Sequence, residues 1–170
     1  SASFLALLYY QAALFSPPFY KQIEFNDSIT DTLIHVVEQY APNKRILVLS
    51  PGIYPYYPLV NYTGVRMAMR FQTMWLLQGI YAECDEQGDI YNPPERMSDQ
   101  EKMVFESVSD DFARLRPDLV IVDNIPGIPE CGPEVFNYLT YFKRNPKFAQ
   151  AFASYEPLLT INQFSVYRRR

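Results

Sequence analysis

Two short and wholly apolar runs, Ile46-Leu47-Val48-Leu49 and Leu119-Val120-Ile121-Val122, do most to limit what this chain can fold into. A strand with one face in water alternates apolar and polar residues, whereas an unbroken apolar run has both faces covered. Each run follows a helical pattern and a tight break. Ile29, Leu33, Val36, Val37 and Tyr40 form one stripe before Ala41-Pro42. Phe105, Val108, Phe112 and Leu115 form another before Arg116-Pro117, behind a Ser98–Glu101 capping box in which each residue can satisfy the other's amide. Helix, turn and buried strand, twice over, predict an α/β fold. The expected form is a Rossmann-like three-layer domain with a mainly parallel central sheet, its centre at residues 45–50 and 118–123. The 170 residues fit one such domain.

The remainder of the chain extends this grammar. Pro133 suits the first position of a third helix, with Val135, Tyr138, Leu139 and Phe142 facing inward. Asn145-Pro146 restarts a short helix carrying Phe148 and Phe152. Residues 158–167 are β-rich and expected antiparallel, either as a hairpin turning at Asn162-Gln163 or as one long edge strand. Residues 65–84 mix two patterns, and the expectation is a helix through Leu77 followed by a strand at 80–84. Residues 1–20 carry no charged side chain. Residues 1–15 read as an apolar helix packed on the domain or as the end of a membrane helix; alone, the stretch is shorter than the roughly 20 residues that span a bilayer.

Several chemistries lack their residues. His35 is the single histidine, about 120° off its helix's apolar stripe, which leaves no basis for a Ser-His-Asp, Cys-His or His-based metal site. Neither apolar run is followed by a P-loop or a GxGxxG turn. Cys84 and Cys131 lack zinc-site spacing, and are either one bridge or two free thiols. No cofactor or metal is therefore expected, and no catalytic residue is assigned. A net charge of −4 argues against nucleic acid, which requires a basic stripe. The one basic run, Arg168-Arg169-Arg170, reads as a solvated tail or a lipid-headgroup anchor. Glu83, Asp85, Glu86 and Asp89 read as a solvated loop, and Asp110 and Asp111 as the outer face of a helix.

The most distinctive stretch is PGIYPYYPLVNYTG, residues 51–64, which leaves the carboxyl end of the first buried strand. Open α/β sheets place their ligands at that edge. Read as a proline-stiffened loop, it offers Tyr54, Tyr56, Tyr57 and Tyr62, with Asn61, as a platform for a sugar ring or a protein partner. Arg66 and Arg70 project together whether their segment is helix or strand. They either bind a phosphate or carboxylate, or pair with local acids such as Asp123 and pin the loop. Asp123, at the end of the second buried strand, either anchors a ligand hydroxyl or base or is a plain strand-end carboxylate.

Tyr57-Pro58, Asn61-Tyr62-Thr63-Gly64, Arg66, Ala68, Arg70-Phe71, Trp75-Leu76-Leu77, Arg116-Pro117-Asp118-Leu119-Val120, Tyr141-Phe142 and Val166-Tyr167-Arg168 together carry a family resemblance. The stretch from Arg45 to Arg169 resembles the soluble C-terminal part of uncharacterised bacterial multi-pass membrane proteins. These are loosely related to the GT-C superfamily of lipid-linked-sugar glycosyltransferases. The resemblance implies a non-catalytic domain on the periplasmic side of the cytoplasmic membrane. Its implied partners are the membrane portion of the same protein and a glycan or isoprenoid phosphate. It supplies no catalytic residue, because the catalytic carboxylate of such enzymes lies between membrane helices. Two other readings use the same residues: a free-standing α/β enzyme or small-ligand binder using the loops after 45–50 and 118–123, and a protein-interaction module.

Overall fold

The computed structural model of the chain describes residues 29–83, 90–130 and 135–170. The two apolar runs are β1 (Arg45–Leu49) and β3 (Leu119–Asp123), paired in parallel with Ile46 opposite Leu119. Their alternating side chains serve two cores. Leu47, Leu49, Val120 and Val122 enter one, and Ile46, Val48, Leu119 and Ile121 the other. Helices therefore cover both faces. On one lie α1 (Ile29–Tyr40) and α2 (Tyr56–Thr63), supplying Leu33, Val37 and Leu59. The other is covered by α3 (Trp75–Ile80), α4 (Asp99–Leu115), α5 (Tyr138–Lys143) and α6 (Pro146–Phe152). Here Phe112 of α4 stacks on Phe148 with ring centroids 4.3 Å apart.

The sheet is mixed, with strand order β2-β1-β3-β5-β4, which corrects the expected mainly parallel Rossmann-like sheet. β2 (Arg66–Met67) adds only two parallel pairs to β1. The final residues form β4 (Tyr155–Ile161) and β5 (Phe164–Arg169), a hairpin turning at Asn162-Gln163 with Asn162 left-handed at φ 50°. β5 then runs antiparallel along the whole of β3, from Leu119↔Arg168 to Asp123↔Phe164. The parallel ladders hold two and four residue pairs and the antiparallel ladders five and six, so antiparallel pairing dominates. The cause is local: α5 and α6 are one to two turns each and lead into a hairpin rather than a returning parallel strand. Parallel return requires a longer crossover.

Other expectations also change. Residues 51–64 are not one loop, because α2 begins at Tyr56. Pro58 lies in its first turn, where a missing N–H breaks no helical bond, and Gly64 caps the other end at φ 67°. In the 65–84 segment, β2 replaces the expected helix; helix begins only at Trp75, and Ile80 ends α3 rather than opening a strand. Val135 precedes α5 and is exposed. Ser98 accepts the Glu101 amide as expected, but the Glu101 carboxylate is fully buried. It takes hydrogen bonds from Tyr81 Oη (2.5 Å), Tyr141 Oη (3.1 Å) and Asn92 Nδ2 (2.9 Å). Burial and this carboxylate push both tyrosine hydroxyls well above their usual range. The uncharged first twenty residues, Pro133 and both cysteines lie outside the described residues. Among the described residues no helix is long and apolar enough to cross a membrane.

Candidate functional site

The residues singled out in the sequence divide between the two ends of the sheet. At the carboxyl end, β1 and β3 bring Ser50, Tyr54 and Asp123 together. Ser50 Oγ lies 2.8 Å from the Tyr54 carbonyl and 3.1 Å from Asp123 Oδ2. The Asp123 carboxylate, 4% exposed, also accepts the Ile125 amide and the Gln163 side-chain amide. Burial raises its pKa, against the pull of these hydrogen bonds. Its oxygens are thus occupied by three neighbouring segments, and it ties together the loops after β1 and β3 and the β4–β5 turn.

The tyrosines do not form one rim. Tyr54 packs on Phe164, with its Oη 3.3 Å from the Thr30 hydroxyl. Tyr56 is a core residue, and Tyr57 Oη accepts from Gln72. Asn61 and Tyr62, both exposed, lie near the far end of α2, about two helical turns away.

The arginine pair is split as well. Arg70 donates through Nε (3.0 Å) and Nη2 (3.1 Å) to the two oxygens of Asp111, and its own amide bonds Oδ2. Asp111 is 3% exposed and also pairs with Arg114, so it is not on a solvated helix face. The Arg70 guanidinium holds its carboxyl down at about 2, assisted by Arg114 and opposed by burial. Arg70 thus pins the segment after β2 to α4. Asp110, by contrast, is exposed and pairs with Lys147.

Arg66 meets a different set. It sits opposite Arg45 in the β1–β2 ladder, at the amino end of the sheet. Strand alternation places Arg45 on the same face as Leu47 and Leu49, Arg66 with Ala68, and Arg169 with Tyr167, all on the side covered by α4. Helix α4 ends there, with Arg116 as its left-handed cap at φ 42°. Arg45, Arg66, Arg116 and Arg169, with Asn43 and Leu115, line a cavity of about 410 Å³. A smaller one of about 160 Å³ shares Asn43 and Arg169 and adds Tyr40, Pro42, Asp118 and Arg170.

Ion pairing in this notch is incomplete. Asp118, 4% exposed, accepts both the amide and Nδ2 of Asn43 and pairs with Arg169 at 3.2 Å. Arg169 also donates to the Arg116 carbonyl (2.9 Å), answering the partial negative charge of the α4 carboxyl terminus. Among the described residues no carboxylate pairs with Arg45, Arg66 or Arg116. The backbone here departs from easy conformations. Lys44 (φ 55°) and Arg116 are two of the three non-glycine residues with left-handed φ among the described residues, a kind of strain that concentrates at binding sites. In the closing basic run Arg168 and Arg170 are exposed and pair with Glu156, and Arg169 ends β5.

In the sequence Arg45 bounds the first apolar run, Arg116 stops a helix and Arg169 belongs to the closing basic run, and nothing in their spacing links them to Arg66. Only the strand order brings them to Arg66. Among the described residues no group of His, Cys, Asp and Glu could hold a metal ion. Comparison with known protein families, curated proteins and solved structures finds no match.

Proposed function

We propose that the chain is a non-catalytic binding domain that holds an anionic group, a phosphate or carboxylate, in the arginine-lined notch at the amino edge of its sheet. One observation carries this reading: three guanidiniums that have no carboxylate partner among the described residues, and a fourth shared with Asp118, converge on one cavity in a chain of net charge −4. Like charges repel, so such a cluster is more stable with an anion among them. Guanidinium forks match the oxygen pairs of phosphates and carboxylates.

The wider setting follows the resemblance. Several residues that carry it, Arg66, Arg116-Pro117-Asp118 and Arg168, gather at this same edge, which supports a role beside a membrane-anchored, glycosyltransferase-like parent outside the cytoplasmic membrane. A phosphate of a glycan or an isoprenoid lipid is then the fitting ligand.

Calorimetric titration with inorganic phosphate at low ionic strength tests the site. Saturable binding is expected, weakened at least tenfold by Arg66→Ala and unchanged by Lys147→Ala, which removes the same charge elsewhere. Equal loss in both variants would reduce the effect to net charge and refute the site.

A further inference from the structure

The shape and charge of the notch specify its ligand more closely. We infer that the group it holds is a diphosphate, two linked phosphoryl groups, rather than a single phosphate or carboxylate. The inference rests on the anion-binding reading above and adds the ligand's class.

Charge is the first argument. Arg45, Arg66 and Arg116 bring three uncompensated positive charges, and Asp118 offsets Arg169. A single phosphate carries about −1.5 to −2 near neutral pH and leaves the cluster under-neutralised. Two linked phosphoryl groups carry roughly −3, since the terminal one ionises as a monoester does. That balances the three free guanidiniums.

Extent is the second. Arg66, Arg45 and Arg169 stand on β2, β1 and β5, and the strand order puts three strand spacings between the outer two. At about 4.8 Å each, their backbones span roughly 14 Å. The resulting notch is elongated along the sheet edge, and its 410 Å³ lies within the roughly 300–1,000 Å³ of whole small-ligand sites. One tetrahedral anion fills little of that room.

Lining chemistry is the third. Leu115 is the single apolar residue among the six around the larger cavity. The part of the ligand held there must be polar throughout. An organic portion can enter the smaller cavity beside Tyr40 and Pro42, which shares Asn43 and Arg169 with the larger.

The experiment titrates the intact chain, at constant ionic strength, with inorganic phosphate, inorganic pyrophosphate and a nucleoside diphosphate. Pyrophosphate is expected to bind one site at least tenfold more tightly than phosphate, and Arg66→Ala to abolish that preference while Lys147→Ala preserves it. Where Tyr40→Ala weakens the nucleoside diphosphate alone, the diphosphate is one esterified to an organic group. Where it weakens neither, inorganic pyrophosphate is itself a sufficient ligand; both results support the inference. Equal binding of phosphate and pyrophosphate, with both lost in Arg66→Ala, would overturn the diphosphate and leave the anion site standing. Binding of neither would overturn both.

Discussion

Replacing Arg116 with glycine separates the stability of the fold from the occupancy of the notch. Arg116 caps α4 at φ 42°, where a side chain crowds the following carbonyl and costs roughly 1–2 kcal/mol. Glycine removes that crowding but loosens the unfolded chain, which returns about 0.4–1 kcal/mol. Among the described residues its guanidinium makes no hydrogen bond or ion pair that would be forfeited, and the Arg116 carbonyl stays available to Arg169. The net expectation is a gain of about 0.5–1 kcal/mol, or roughly 1–4 °C in Tm for a chain of this size. Anion affinity moves the other way, because a hydrogen bond to a charged group contributes about 1.5–3 kcal/mol, a factor of ten or more. Thermal melts of both proteins with and without pyrophosphate check this in one series. Arg116→Gly should melt higher in plain buffer and gain less from the ligand. A lower melting point in buffer, or an unreduced ligand-induced rise, would refute the reasoning.

Asp111→Asn tests the buried ion pair at α4. The folded-state pKa of Asp111 is depressed to about 2, so its contribution is complete above the ordinary value near 4 and is lost as pH falls through 2. The shift corresponds to a little over 2 kcal/mol; because Arg70 and Arg114 are more than half exposed, about 1–2 kcal/mol is the expected destabilisation at pH 7. Urea titrations should show the gap between wild type and variant shrinking to about half near pH 3, and a gap unaffected by pH would contradict the assignment. Glu101→Ala strips two buried tyrosine hydroxyls of their acceptor and leaves a cavity, for an expected loss of about 3 kcal/mol or more. A loss under 1 kcal/mol by the same titration would show those bonds to be dispensable.

How much could be read in advance depended on whether a feature is local. β1 and β3 were legible because an unbroken apolar run of four has few alternatives, and α4 because Ser98 marks its start and one stripe its length. Helix α2 was hidden by its own composition: tyrosines and prolines suggest a loop, although Tyr56, Leu59 and Thr63 keep one face buried. Two-residue β2 gives almost no pattern to read. The side of β3 taken by β5 is not a property of either segment alone, and the expectation of a mainly parallel sheet failed there. The site shows the same division. Arg66 was singled out, but its companions are one arginine on each of three separate elements, and nothing in their spacing announces that the end of α4 meets the amino edge of the sheet. Arg70 looked equivalent to Arg66 because the acid that claims it, Asp111, seemed to face outward.

The most direct test is nuclear magnetic resonance of the arginine side chains, following each Nε–Hε signal while pyrophosphate is added at fixed ionic strength. Saturable shifts are expected for Arg45, Arg66 and Arg116, with Arg70, already held by Asp111, staying in place. Shifts that grow without saturating and touch all exposed arginines alike would mean that the notch holds nothing in particular.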